Sequence, residues 1–404
     1  MKKSIHRIGL AVWFSGLTLI FGAQEIKAAS VTYIVGTCTS GTQFKTIQSA
    51  LDASPAPNTV EVCPGQYAAQ VTITKPVTLE GVTAKNGALA QIILPDNYGA
   101  NATVDADGDV EPAVAQVYVH NVSGGDVNLT NLDVDGEGFG QNGFFIGVLY
   151  EDSSGTINHV ITAQQTGTGV AGWGMWIQGG SSKPSVTVEN SSLQDAAGGI
   201  FAVGETATPD LTVTIKNNFF SLDSATTNNL VVYDGTDPTV SGNVISGGLY
   251  GIIIDAPTGS ITGNTVIGSQ IGIELDVDGA AVESNNVDGA VSAGINVEAN
   301  SLKTSVIENN TISSVDMASV YDIIDSSGTG IELNCNKISS SQVHSNTVIA
   351  SYYGYGDAPA GFAGSNTYAG VVSTVGACTS SSATSKAVAA ARQKFLGQLP
   401  GNKR

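Results

Sequence analysis

GLYGIIIDAPTGSITGNTVIGSQIGIELDVDGAAVESNNVDGAVSAGINVE (248–298) repeats one short unit. Together with NLVVYD (229–234), the segments GIIID (251–255), GIELD (272–276) and GINVE (294–298) recur every 21 or 22 residues. Asn-centred turns, SGNVI, TGNTV and SNNV, follow in step. A fixed period of this size marks a stacked architecture, because one such unit cannot bury its own apolar face. Gly-Ile-x-Ile/Leu is a β-branched run that alternates with period two and is broken by Gly, Asn and Ser before the next run, so it reads as a strand. Leucine-rich repeats need Leu at fixed offsets and a helical stretch, and a propeller blade needs about 40 residues. Neither fits. The unit predicts a coil of short strands joined by tight turns, each strand lying about 4.8 Å from its counterpart in the next coil.

Asn243, Asn264 and Asn285 keep a spacing of 21, and Asn310 and Asn346 follow at longer intervals. Asn tolerates left-handed backbone and bonds neighbouring backbone groups, which suits a stacked corner. Amides stacked at strand spacing also bond one another, as in cross-β ladders.

FKTIQSALDASPAPNTVEVCPGQYAAQVTITKPVTLEGV (44–82) resembles the opening of right-handed parallel β-helix proteins of the pectin-lyase-like superfamily. That resemblance extends over residues 30–378. It implies a right-handed parallel β-helix of roughly 12–15 coils over residues 29–378, with an N-terminal capping helix on which Phe44, Ile47, Ala50 and Leu51 share one face. A cap matters because an uncovered coil presents a bare sheet edge. For activity the resemblance says less, since the fold carries lyases, hydrolases, esterases, epimerases and phage adhesins.

Lys2, Lys3 and Arg7 precede an apolar run from Ile8 to Ala23, and the small residues around Ala28 suit cleavage. Residues 1–28 therefore read as a secretory signal peptide, and no other run is long enough to span a bilayer. The expected location is extracellular or periplasmic. Residues 379–404 read as a linker and short tail, with AVAAARQKFLGQL as a candidate cap helix. Four cysteines allow three pairings. Cys38 with Cys63 would bracket the capping helix, and Cys335 with Cys378 would clamp the last coils.

Without the leader, 12 basic residues face 34 acidic ones, a net charge near −22. Such a surface repels nucleic acid and anionic membranes, and disfavours a polyanionic sugar unless a divalent cation bridges the two. No Arg occurs between residues 8 and 391. The pectin-degrading members that the chain resembles each use an Arg in their site, where it grips a carboxylate bidentately. The Asp-Asp pair of polygalacturonases is also missing. The Arg-dependent mechanisms are thus not expected.

Four carboxylates, Asp234, Asp255, Asp276 and Glu298, end the four repeat segments and are the candidate catalytic residues. Three readings apply: turn caps, ligands of a cation such as Ca²⁺, or an acid/base pair on adjacent rungs. Glu274 and Asp278 lie beside the column. DADGDVEP (105–112) supplies Asp105, Asp107, Asp109 and Glu111, whose spacing resembles a calcium loop without its final bidentate Glu. DVDGEG (133–138) is a weaker version. Trp173, Trp176 and Tyr150, with Phe144 and Phe145 nearby, are candidates for stacking on sugar rings. His120, His159 and His344 are isolated in sequence and read as turn or surface residues. The function these features favour is a secreted protein that binds, and in the enzymatic version cleaves, a neutral or calcium-bridged polysaccharide of the cell envelope or surroundings. The competing reading is a non-enzymatic adhesive or structural solenoid.

Overall fold

The computed structural model describes residues 30–377 except 107–108, 139–142, 167–171, 206–208, 223–226, 300–301, 316–327, 334–341, 350, 352, 359–365, 370 and 372. Short strands stack in parallel into three long sheets, with orders that step regularly through the chain. One coil shows the plan. Tyr250–Ile254 lies in the third sheet, Ser260–Thr262 in the first and Thr265–Ile267 in the second, before Ile271–Leu275 returns to the third beside its starting point. The stack is about a dozen coils deep, as the repeat predicts.

Register makes the core. Ile252, Ile273, Ile295 and Ile331 form one inward column. Val240, Ile261, Val282, Ile307 and Val343 form a second, and Ile245, Val266, Val287, Ile312 and Val348 a third. All are buried in one continuous cluster. Each such side chain contributes roughly 1.5–3 kcal/mol through removal from water. The Gly that opens each repeat is there because coils approach closely. A Cβ at Gly251 would lie 2.4 Å from the Gly272 carbonyl oxygen, and one at Gly272 would lie 2.4 Å from that of Gly294.

The corner between the first and second sheets holds the asparagine column. Asn264 Oδ1 accepts from the Asn243 backbone N–H (3.0 Å) and from Asn243 Nδ2 (2.9 Å). Its own Nδ2 donates to the Val240 carbonyl (3.0 Å) and to Asn285 Oδ1 (3.0 Å). The same pattern links Asn285 to Asn310 and Asn310 to Asn346. It also extends beyond the expected members, to Asn218 at one end and Asn366 at the other. The left-handed residue is not the ladder Asn but the one before it: Asn217, Gly242, Gly263, Ser284, Asn309 and Ser345 all have φ between 56° and 64°. Amide bonding, not backbone tolerance, fixes Asn at the ladder position.

At the N-terminal end, the helix Ile47–Leu51 buries Ile47, Ala50 and Leu51, with Thr46 as its cap accepting from the Ser49 N–H. Phe44 belongs instead to the strand Thr42–Phe44, so the helix begins later than its apolar spacing suggests. Gln48 pairs with the end strand as another strand would. Its Oε1 accepts from the Thr72 N–H (2.9 Å) and its Nε2 donates to the Thr72 carbonyl (3.1 Å). Cys38 and Cys63 form the expected disulfide beside this cap. Cys335 and Cys378, residues 1–28 and residues 379–404 lie outside the described residues.

Candidate functional site

The strands of the third sheet are buried on both faces, unlike the alternating strands of the other two. Inward residues such as Val148, Tyr150, Met175 and Ile177 join the central core. Outward residues form a separate cluster containing Phe144, Leu149, Trp173, Trp176, Phe201 and Tyr250, partly covered by Val104 of an antiparallel hairpin between Ala102–Ala106 and Asp109–His120. Trp176 stacks on Phe201 at 4.1 Å between centroids, and Trp173 meets both edge-on at 5.8 and 5.2 Å.

This arrangement corrects the sugar-platform expectation. Trp173 and Trp176 are 0% exposed and serve as packing on the outer face of the sheet. Tyr150 lies inside the solenoid, where its hydroxyl donates to the Val127 carbonyl at 2.9 Å and burial raises its pKa. None of the three presents a ring face to solvent.

The calcium-loop reading of residues 105–111 also changes. The hairpin pairs Val104 with Glu111 and Asp105 with Val110. Side chains directly opposed across a pair share a face, so Asp105 and Glu111 point to opposite faces and do not converge on an ion. Asp107 and the Asp109 side chain lie outside the described residues. In the weaker candidate, Gln91 Nε2 donates to Asp133 Oδ2 and to Asp135 Oδ2, both at 3.1 Å, so a protein donor occupies the space between the carboxylates. Burial, with Asp135 adding, raises the Asp133 pKa to about 6. Among the described residues no three His, Cys, Asp or Glu side chains are grouped to hold a metal ion.

Register divides the four-carboxylate column. The N–H groups of Asp255, Asp276 and Glu298 donate to the Val232, Ile254 and Leu275 carbonyls, so these three stack on consecutive rungs. Val232 pairs with Ile254, which sets Tyr233 beside Asp255 and puts Asp234 one residue out of line. NLVVYD has one residue more than the later segments, and Asp234 is exposed. Asp255 is buried, while Asp276 and Glu298 are half-buried. Glu274 joins them from the next outward position and is 1% exposed. Asn296 Nδ2 donates to Glu274 Oε2 (3.0 Å) and to Glu298 Oε1 (3.2 Å). Burial first, then the charge of Asp276, hold the Glu274 pKa well above the usual carboxylate range. Asp278 does other work. Burial opposes its ionisation, but the N–H groups of Ser305, Lys303 and Thr304 and the Ser305 hydroxyl bond its carboxylate and lower its pKa.

At the other end of the same sheet, sequence reading missed a cluster. Tyr118 pairs with Leu149 and His120 with Glu151 on neighbouring strands. The Tyr118 hydroxyl donates to Glu151 Oε2 and lies 2.8 Å from His120 Nδ1. His120 Nδ1 is 2.9 Å from Glu151 Oε2, and Asn121 Nδ2 is 3.0 Å from His120 Nε2. With an amide nitrogen facing Nε2, a neutral ring carries its proton on Nδ1, toward Glu151. Burial, then the Glu151 hydrogen bond and charge, raise the Tyr118 pKa, so its phenol keeps its proton and acts as donor. A fixed carboxylate thus orients an imidazole whose side chain is 36% exposed, the relation a general base needs. The signal lay in aligning YVHN (118–121) with LYED (149–152), two coils whose spacing exceeds the 21-residue period.

A sequence model described as the right handed beta helix region matches residues 173–371. The chain is a right-handed parallel β-helix. Among solved β-helices, a GH136 lacto-N-biosidase from Eubacterium ramulus superposes with a TM-score of 0.52 at 9% identity, over 85% of this chain and 67% of that one. PfbA, a surface adhesin of Streptococcus pneumoniae, superposes with a TM-score of 0.47 at 12% identity, over 81% of this chain and 87% of that one. At such identities the likeness is one of fold. No curated protein shows significant sequence similarity to this β-helix.

Proposed function

We propose that this β-helix is an exported glycan-active protein that binds a polysaccharide beside the half-exposed His120, at the end of its third-sheet strands, and hydrolyses it, with His120 as general base. The observation that carries the reading is the Tyr118–Glu151–His120 chain, in which each group fixes the next. Tyr118 donates to Glu151, Glu151 accepts the Nδ1 proton of His120, and Nε2 accepts from the Asn121 amide, which substrate or water must displace before Nε2 can take a proton. Hydrolysis is preferred to elimination because elimination needs a carbon acid beside a carboxylate, and a uronate is repelled by a body of net charge near −22. The solved lacto-N-biosidase of the same fold fits a glycan as ligand. Export is supported by the apolar leader and by the Cys38–Cys63 disulfide, a bond that persists in oxidising compartments.

The test is a glycan-binding and reducing-sugar screen on the chain lacking residues 1–28. His120→Ala should lower turnover by about 10²–10⁴-fold, with Tyr118→Phe smaller in effect and shifting the pH profile. Full activity in His120→Ala would remove the site. An absence of binding to every glycan would leave the adhesive or structural solenoid as the standing account.

A further inference from the structure

The outer face of the second sheet carries a feature that the His120 cluster does not use. Five large apolar side chains are exposed among the described residues. Four of them, Phe219 (46%), Val244 (38%), Ile267 (42%) and Ile349 (37%), lie on this face, and the fifth is Val110 of the hairpin. Register sets them in two ladders. Phe219 stands next to Val244, which is followed by Thr265, Asn286, Thr311 and Thr347. Two residues along the strands, Ser246 stands next to Ile267 and Ser313 next to Ile349. The pairing runs unbroken through the nine strands from Ile161–Ala163 to Thr367–Ala369. Val, Ile and Thr are stiff at χ1, so such rows lose little side-chain freedom when they bind.

Charge is kept off this face. Along those nine strands Asp288 is its one charged residue, and the Ser313 hydroxyl donates to Asp288 Oδ1 at 2.8 Å. The outer face of the first sheet is the opposite, with Glu61 beside Glu80, Glu189 beside Lys216 and Glu283 beside Glu308. Strand propensity favours β-branched residues on both faces alike. It does not explain why the carboxylates of a body with net charge near −22 avoid one of them. An exposed strip of apolar groups and hydroxyls marks an interaction site. Its partner is uncharged, since a cation finds no carboxylate row there and a polyanion is repelled by the rest of the body. Shape narrows the choice. Nine strands spaced at about 4.8 Å make a strip roughly 40 Å long, and two outward residues make it about 10 Å wide. Its area of about 400 Å² is half of the roughly 800 Å² that each partner buries in a stable protein pair, which disfavours a second copy of the chain. A linear polymer lying along the coils fits both dimensions.

We infer that the outer face of the second sheet is a docking strip for an extended, uncharged polysaccharide. Sugar rings set their C–H faces on Phe219, Val244 and Ile267, and their hydroxyls meet those of Ser246, Thr265 and Thr311. The strip is a second site, on a different sheet from the Tyr118–His120–Glu151 cluster, and it holds a polymer whether or not that cluster cleaves one.

The chain lacking residues 1–28 is mixed with microcrystalline cellulose, insoluble β-1,3-glucan or starch granules, and the protein left in solution is measured at about 20 mM and about 500 mM salt. At least one of these neutral solids should take up the chain, with affinity changing by less than about twofold between the two salts. Val244→Glu combined with Ile267→Glu sets carboxylates on the strip and should weaken uptake about tenfold or more. Thr239→Glu, at an exposed position on the first sheet, should leave uptake unchanged. Melting temperatures show whether each variant folds. Should the acidic pair fail to fold, Ile267→Ser combined with Ile349→Ser is the milder change and should weaken uptake about threefold or more. Turnover of soluble oligosaccharides, read in parallel, reports on the His120 site separately. Uptake by none of the solids, uptake that folded strip variants do not reduce, or uptake that vanishes at high salt would each overturn the inference and leave the catalytic reading in place. Self-association of the parent in sedimentation equilibrium, abolished by the acidic pair, would also overturn it, by making the strip an interface between copies.

Discussion

Replacing Asn264 by Ala tests what holds the coils in register. Asn264 Oδ1 is the acceptor for two donors of Asn243, its backbone N–H and one Nδ2 hydrogen, and both residues are 0% exposed. The truncation leaves both donors buried without an acceptor, and each orphan costs roughly 1–3 kcal/mol, so the expected loss is about 2–6 kcal/mol. Asn264→Asp should be worse near neutral pH. The carboxylate would still accept from Asn243, but it would face the Val240 carbonyl and Asn285 Oδ1, where Nδ2 now donates. Protonation restores a donor, so that variant should regain stability as pH falls. Urea denaturation gives the global value. Since each coil touches only its neighbours, hydrogen exchange should show the loss concentrated between residues 240 and 290. Asn286→Ala, one residue beyond Asn285 and exposed, is the control and should stay within about 0.5 kcal/mol. A loss below about 1 kcal/mol for Asn264→Ala, or equal losses at 264 and 286, would refute the ladder as a source of stability.

Glu274→Gln should flatten the fall of stability with rising pH. The folded-state pKa lies above the unfolded one, so the stabilisation is full below the unfolded value and is lost as pH rises through the folded one; melting temperatures from pH 4 to 9 would expose an unchanged slope. Trp173 and Trp176 are the only tryptophans after residue 28, so emission of a chain lacking residues 1–28 should be blue-shifted and resistant to iodide, and Trp176→Ala should cost about 3–5 kcal/mol in urea titrations. Red-shifted, quenchable emission would contradict the burial. Replacing Cys38 and Cys63 by Ala should lower stability by about 3 kcal/mol, given their separation of 25 residues, measured by comparing melts of the variant and the oxidised parent.

The fold was legible because its determinants are local and repeated. Gly-Ile-x-Ile places two inward residues and one close-packed Gly in every coil, and Asn at a fixed offset marks the corner. The site was not legible for the opposite reason. A solenoid face is assembled across coils, so partners such as Tyr118 and Glu151 are 33 residues apart, and an unequal coil breaks any fixed period. A single extra residue in NLVVYD was enough to assign Asp234 to the wrong column. Nor could composition tell a third sheet buried on both faces from one open to solvent. That is why Trp173 and Trp176 read as a sugar platform when they are packing.

The amide column has one consequence for how such a chain can change. Asn285 and Asn310 bond as neighbours across 25 residues, and Asn310 and Asn346 do so across 36. The corner therefore counts turns of the coil and ignores how many residues each turn contains. Along the ladder, from Asn218 to Asn366, insertions are confined to the other two corners, where length can grow without disturbing the stack. A new segment added there arrives beside an intact sheet, already aligned with whatever the neighbouring coils present.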